Sequence, residues 1–140
     1  MRDEQQSKIY GMNAENYFAS TLNKFGIQYE FINDWFDFLI NKKHKVEVKS
    51  CQLSVKDGKK EEEHYRPGRF DFTRKENREN QYKENIWVAF VLRHEGEFML
   101  LGFVRAQELE KKRYITLIDL RKFDVLTFDR WLIQVNRESK

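Results

Sequence analysis

The chain has 140 residues, a net charge of +3 and a sequence pI of about 8.9. Hydrophobic residues make up 40% and charged residues 35%, which excludes a disordered chain. No stretch approaches the ~20 apolar residues of a membrane span, and the mild basicity permits a polyanionic partner without requiring one.

Residues 1–7 lack the apolar core of a signal peptide, and Cys51 is the one cysteine. Because a lone cysteine cannot form an internal disulfide, we expect a reducing, cytoplasmic location. We interpret Cys51 as a small packed residue rather than a nucleophile. The length predicts one domain over residues 1–140.

Residues from about 7 to 25 are predicted to form a helix. Its apolar residues recur at helical spacing: Met12, Phe18, Leu22 and Phe25. Steps of three and four along this stripe also place Glu15 on it. A carboxylate on a core-facing stripe is costly unless it is paired or bound to a cation, so Glu15 is a candidate site residue. The alternative is that Glu15 lies at the edge of the stripe and reaches solvent. Gly26 is expected to end the helix.

A first strand is predicted over residues 27–32, and two further strands follow over residues 36–49. Apolar and polar residues alternate along both: Phe36, Asp37, Phe38 and Ile40 in one, and Val46, Glu47, Val48 and Lys49 in the other. An odd number of residues in the connecting loop would place Asp37 opposite Glu47 or Lys49, and the apolar residues of both strands on the other face. A two-residue loop would mix the faces. Because the connection lacks Asn-Gly or Asp-Gly, we predict the longer loop.

Two carboxylates and an ammonium are therefore predicted to converge on one face of the sheet. Two acids held close repel unless a cation lies between them or one takes up a proton. Carboxylate oxygens suit Mg²⁺, which retains several waters, and a lysine can orient an attacking water. This set is typical of metal-assisted phosphodiester hydrolysis. Asp34 is a rival to Asp37, but it lies among turn-forming residues.

Residues 52–69 form a polar segment with a turn signal at Asp57-Gly58. We considered two interpretations: a protruding ribbon that contacts DNA and a solvated loop. The basic residues that would contact DNA are Lys56, Lys59, Lys60, Arg66 and Arg69. We assign no role to His64.

Residues 69–72 are predicted to be extended, and Thr73 with Glu76 matches a capping box that begins a helix ending near Lys83. Three basic residues on this polar helix are candidates to meet phosphates: Arg74, Lys75 and Arg78. They would equally suit an ordinary exposed helix.

The apolar run over residues 86–92 predicts a buried central strand, and residues 98–104 predict the next strand. A short helix over residues 105–112 and an extra strand over 114–118 follow. The apolar but irregular C-terminal segment is expected to pack on the core or to form a dimer contact, and residues 137–140 to fray.

The spacing of Asp37 and Glu47-Val48-Lys49 resembles the core motif of the PD-(D/E)xK nucleases, most closely that of the archaeal Holliday-junction resolvases and related restriction-endonuclease-like proteins. Those proteins also carry a glutamate on the first helix, four residues after a glycine, as Gly11 and Glu15 do here. The family's proline before the aspartate is Phe36 in this chain. The resemblance covers roughly residues 8–105.

This resemblance implies an α/β, restriction-endonuclease-like mixed β-sheet flanked by helices. It implies a Mg²⁺-dependent endonuclease that hydrolyses phosphodiester bonds of DNA, including branched DNA. It also implies that Mn²⁺ can replace Mg²⁺ and that the protein acts as a homodimer. Asp37, Glu47 and the Val48 carbonyl would bind metal, Lys49 would orient or activate the water, and Glu15 would support a second metal or its water shell. Two alternatives remain: a catalytically silent module that binds nucleic acid or protein, and a structural domain with a solvated acidic face.

Overall fold

The computed structural model describes residues 4–57 and 64–138, with side chains for residues 11–55 and 65–138. Within these ranges the helices are α1 (Glu4–Lys24), α2 (Lys75–Glu84) and α3 (Phe128–Glu138). The strands are β1 (Tyr29–Phe31), β2 (Phe38–Ile40), β3 (His44–Gln52), β4 (Ser54–Asp57), β5 (His64–Pro67), β6 (Arg69–Asp71), β7 (Trp87–His94), β8 (Glu97–Arg105) and β9 (Tyr114–Thr116).

In the described part of the chain, five strands form the main sheet in the order β1-β2-β3-β7-β8. β3 and β7 are parallel, and the other neighbours are antiparallel, so the sheet is mixed. The remaining strands form two ribbons, β4 with β5 and β6 with β9. This arrangement confirms the predicted mixed sheet with flanking helices, and it confirms that residues 86–92 belong to a buried central strand.

Two apolar clusters cover the two faces of the main sheet. One joins α1 and α3 to the sheet through Phe18, Leu22, Phe38, Val46 and Trp131. The other lies on the opposite face, where Phe70 and Ile115 from the β6–β9 ribbon pack on Val88 and Phe90 of β7. Because side chains alternate along a strand, this second face is also the one toward which Glu47 and Lys49 point.

α1 buries a different stripe from the one predicted. Ala14, Phe18 and Leu22 are buried, whereas Met12 and Phe25 are more than half exposed. The predicted core stripe was therefore wrong at both ends, and Glu15 lies beside the buried face rather than within it. The glycine stop was predicted correctly, because Gly26 has a φ of +67° and follows the last turn of α1.

The hairpin of β2 and β3 has the predicted parity. Phe38 pairs with Val46 and Ile40 pairs with His44, so three residues (41–43) form the connection. Asn41 and Lys42 have positive φ angles, which make this turn without the Asn-Gly pair of a two-residue loop. The prediction for Phe36 was wrong: it precedes β2 and packs in the cluster opposite to that of Phe38.

The segment after β3 is a hairpin of β4 and β5 rather than an unstructured loop. Its tip, residues 58–63, lies outside the described residues, as do the predicted DNA contacts at Lys59 and Lys60. The predicted extended segments are confirmed over Arg69–Asp71 and Tyr114–Thr116, which pair as β6 and β9, whereas residues 117–118 form a turn.

Two helix predictions require correction. The capping box at Thr73 is absent within the described chain, because the N-cap residue of α2 is Arg74, which makes no side-chain cap hydrogen bond. The predicted helix over residues 105–112 is a single 3₁₀ turn, Ala106–Leu109.

The C-terminal segment was wrongly predicted as irregular, because α3 buries Trp131 and Val135 in the α1 cluster. Arg137 and Glu138 belong to this helix rather than to a frayed end. Among the described helices, none is long and apolar enough to cross a membrane.

Candidate active site

Asp37 lies immediately before β2 and is held opposite Glu47 by the hairpin register. Its backbone N–H donates to the Val46 carbonyl at 3.0 Å, one residue out of the β2–β3 register, so the regular ladder ends at Phe38. Its Oδ2 accepts a 2.8 Å hydrogen bond from the backbone N–H of Val48. Asp37 is 7% exposed and Glu47 is 8% exposed, so two carboxylates are buried side by side.

Lys49 follows Glu47 on the same face of β3. Its Nζ lies 3.3 Å from Glu47 Oε2 and 5.0 Å from the centre of the Phe72 ring. The Lys49 side chain is therefore held between the carboxyl group of Glu47 and the face of the Phe72 ring. Phe72 reaches this position because the chain turns from β6 into α2 beside β3.

Glu15 joins these residues from α1. Burial raises the pKa of Glu15 to about 7, and the charge of Asp37 and a hydrogen bond to Asp37 add to the increase, while Lys49 opposes it. Burial likewise raises the pKa of Glu47 to about 8, with the same contribution from Asp37 and the same opposition from Lys49. The three carboxyl groups thus lie close enough to interact, and the negative charge of Asp37 disfavours ionisation of Glu15 and Glu47.

Asp37, Glu47 and Lys49 form one side of a pocket of about 210 Å³, and Glu15 lies behind them, outside its lining. The other side is the face of α2 that carries Arg74, Asn77, Arg78 and Gln81, together with Thr73. Gln81 is buried and fixes α2 in place, because its Nε2 donates a 2.8 Å hydrogen bond to the Trp35 carbonyl. The pocket therefore has an acidic wall on the sheet and a basic, amide-rich wall on the helix.

The donor set of the acidic wall fits a hard divalent cation. Among the side chains described (residues 11–55 and 65–138), no group of three or more His, Cys, Asp or Glu residues is placed so that it could hold a metal ion. Mg²⁺, however, uses one or two carboxylates and retains several waters, so Asp37 and Glu47 satisfy its requirement. The raised pKa of Glu47 is consistent with this fit, since a bound cation would offset the cost of burying a second negative charge beside Asp37.

The structure places the predicted DNA-binding residues in different surroundings. Arg74 and Arg78 line the pocket. Lys75 is exposed on the first turn of α2, beside Arg74. Arg66 and Arg69 make local contacts: Arg66 donates a 3.5 Å hydrogen bond to the Pro67 carbonyl, and Arg69 pairs with Asp71 at 3.1 Å. Lys56 belongs to β4, and its side chain is outside the described set.

Sequence reasoning missed the amide side of the pocket. Asn77 and Gln81 were assigned to an exposed polar helix, yet both face the acidic residues. The available signal was the spacing 74, 77, 78 and 81, which places four long polar side chains on one helical face. Asp34 also lines the pocket, but it is exposed, whereas Asp37 is buried.

One comparison with known proteins gives a match. The family model described as the PD-(D/E)XK nuclease superfamily domain matches residues 1–122. The mixed sheet with flanking helices agrees with the restriction-endonuclease-like fold predicted from the sequence. Neither a curated protein nor a solved structure matches the chain.

Proposed function

The chain belongs to the PD-(D/E)XK nuclease superfamily, and from this membership we propose that it is a Mg²⁺-dependent DNA endonuclease. The observation that carries the proposal is the buried Asp37–Glu47 pair with Lys49 beside it, facing a basic helix across one pocket. A buried acid pair is costly for folding, whereas a metal-dependent hydrolase needs one.

Each residue has a role in this proposal. Asp37 and Glu47 would hold Mg²⁺, and the Val48 carbonyl would be a further ligand. Glu15 would support a second metal or the water shell of the first. The bound metal would act as a Lewis acid on the phosphodiester. Lys49 would orient the attacking water, because its Nζ is fixed next to Glu47. The in-line attack of water on phosphorus would expel one ester oxygen.

The substrate and assembly follow from the resemblance stated above. We propose double-stranded or branched DNA, including Holliday junctions, and a homodimer that cuts two strands. Mn²⁺ would replace Mg²⁺. Arg74, Lys75 and Arg78 would contact phosphates near the pocket, and the β4–β5 hairpin, with Lys56 and Arg66, would contact DNA further away.

The test is cleavage of supercoiled plasmid and of synthetic junctions in Mg²⁺, Mn²⁺ or EDTA. We expect cleavage in both metals, none in EDTA, and a loss of at least about 10³-fold in Glu47→Gln. The matched control is Glu30→Gln, which replaces an exposed carboxylate on β1 and should cleave as the wild type does. Cleavage that persists in Glu47→Gln would refute the site.

The second candidate is a silent module that binds nucleic acid without cutting it. The uncapped, basic first turn of α2 would serve binding in either case. DNA binding by the wild type with no cleavage on any substrate in either metal would favour this alternative. Binding of Mg²⁺ would then also be absent, and the thermal midpoint would not rise when Mg²⁺ is added.

A further inference from the structure

Arg78 differs from the other basic residues of the pocket. It lies on α2 and contributes to the pocket wall opposite Asp37, Glu47 and Lys49. Its Nε and Nη1 atoms are shielded from solvent, yet neither has a hydrogen-bond partner within the described part of the chain. A guanidinium carries five N–H donors and is always charged, and the two shielded nitrogens carry three of these donors, which are costly to leave without an acceptor.

The neighbours of Arg78 do not share this property. Gln81, one turn further along α2, is fixed by its bond to the Trp35 carbonyl. Lys49, across the pocket, is paired with Glu47 and lies over Phe72. Arg74 is exposed to solvent. Arg78 is thus the pocket cation, among the described residues, whose donors are both withdrawn from water and unpaired.

We infer that Arg78 binds a substrate phosphodiester inside the pocket, next to the phosphate that the acidic wall would hold. This inference rests on the proposed function and makes it more specific. When the Arg78 guanidinium turns toward the pocket, its planar fork matches two oxygens of one phosphate, and this pairing supplies the acceptors that the protein does not. Arg74 and Lys75, which are exposed, would contact phosphates at the solvent-exposed rim of the pocket, where they contribute mainly long-range attraction.

The first experiment measures binding without cleavage. Fluorescence anisotropy with a short labelled duplex, in EDTA, compares Glu47→Gln alone with Glu47→Gln combined with Arg78→Gln or with Arg74→Gln. The Glu47→Gln background prevents cutting and is shared by all the variants compared. We expect Arg78→Gln to weaken binding about tenfold and Arg74→Gln by about two- to threefold at most. Equal, small effects of the two substitutions would overturn the inference.

The second experiment measures single-turnover cleavage of plasmid in Mg²⁺. We expect Arg78→Gln to slow the step about 10²-fold at saturating protein. Arg78→Lys should recover part of the rate, since lysine supplies the charge without the fork. Arg74→Gln should instead raise the protein concentration at which the cleavage rate is half of its saturated value, and it should leave the saturated rate nearly unchanged.

The outcomes separate this inference from the proposed function. Wild-type cleavage with an unchanged saturated rate in Arg78→Gln would overturn the role of Arg78 and leave the nuclease intact. A wild type that never cuts, but whose duplex binding still depends on Arg78 more than on Arg74, would overturn the nuclease and retain the phosphate site. Thermal unfolding followed by circular dichroism checks that the variants fold. If Arg78→Gln is unstable, both experiments are done with Arg78→Lys instead, and Arg74→Lys is its control.

Discussion

The Asp37 carboxylate accepts a 2.8 Å hydrogen bond from the backbone N–H of Val48, the residue between Glu47 and Lys49. This bond joins the aspartate of one strand to the backbone of the next at the point where the site is formed. Because Asp37 and Val48 are both buried, the bond fixes the distance between the two strands as well as the direction of the carboxylate.

Two substitutions of Asp37 should therefore distinguish the effect of its negative charge from the effect of its hydrogen bond to Val48. In Asp37→Asn the amide oxygen can still accept from Val48, and the negative charge beside Glu47 is lost. We expect its free energy of unfolding to equal or exceed that of the wild type. In Asp37→Ala the buried Val48 N–H has no acceptor, which should cost about 1–3 kcal/mol. Urea unfolding in EDTA measures both.

Neither variant should cleave DNA, because both lack the carboxylate. If Asp37→Ala proved as stable as Asp37→Asn, the hydrogen bond to Val48 would have no structural role. Asp34→Ala is the matched control, since Asp34 is an exposed aspartate on the same pocket rim, and it should change stability by less than about 0.5 kcal/mol.

The positions of Asp37, Glu47 and Lys49 on one face of the sheet could be predicted from sequence, because they depend only on whether the β2–β3 connection has an odd or an even number of residues. Side chains alternate along a strand, so the odd connection between β2 and β3 was enough to place Asp37 opposite Glu47. Glu15 was a weaker case. Its predicted apolar stripe included Met12 and Phe25, which are exposed, so the prediction of proximity to the site rested on the family resemblance rather than on the correct face.

The helical wall of the pocket could not be derived from sequence in the same way. α2 is polar all round, so no apolar stripe identifies its inner face. Its orientation depends on the bond between Gln81 and Trp35, residues 46 positions apart. α3 was a missed signal instead, since Phe128, Trp131, Leu132 and Val135 follow an i, i+3, i+4, i+7 pattern.

The raised pKa of Glu47 predicts that the metal-free protein loses stability as pH rises. Its pKa in the folded state is about 8, above the ordinary value of 4.5, so the folded chain holds a proton that the unfolded chain releases. Stability therefore falls between about pH 4.5 and pH 8. Glu47→Gln removes this dependence, and we expect it to exceed the wild type by about 1–3 kcal/mol at pH 8.5 and to match it near pH 4.5.

Thermal unfolding in EDTA across this pH range checks the prediction. The raised pKa of Glu15 also makes stability fall as pH rises. The dependence of stability on pH should therefore be weaker in Glu47→Gln than in the wild type, and weaker still in the double variant with Glu15→Gln. Glu30→Gln should follow the wild-type curve. A difference between Glu47→Gln and the wild type that is constant with pH would mean that Glu47 is already ionised at low pH.

α3 should be essential for stability although it contributes no residue to the pocket. Trp131 is fully buried and stacks on Phe103 of β8, with ring centres 4.1 Å apart and planes inclined by 3°. We expect Trp131→Ala to cost about 3–5 kcal/mol in urea unfolding. Ile133→Ala, on the exposed side of the same helix, should cost less than about 1 kcal/mol, and equal losses would contradict the burial of Trp131.

Phe72 should influence the reaction through Lys49 rather than through the substrate. The Lys49 ammonium lies 5.0 Å from the centre of the Phe72 ring, which restricts where the Nζ can point and leaves it beside Glu47. Phe72→Leu keeps an apolar side chain but removes the ring face, so we expect single-turnover cleavage to slow about fivefold. Phe72→Trp, with a stronger ring face, should retain the rate if the pocket accommodates it.

If Phe72 contributed only to the stability of the fold, its substitution would affect the cleavage rate independently of Lys49. Phe72 also packs on Phe90 in the apolar cluster that contains Phe70 and Ile115, so Phe72→Leu will lose some stability, and unfolding measurements report that loss separately. The decisive readout is the double variant with Lys49→Arg. If Phe72 acts by holding the Lys49 ammonium, the loss from Phe72→Leu should shrink once Lys49 is replaced. If the two losses in rate simply multiply, Phe72 acts independently of Lys49.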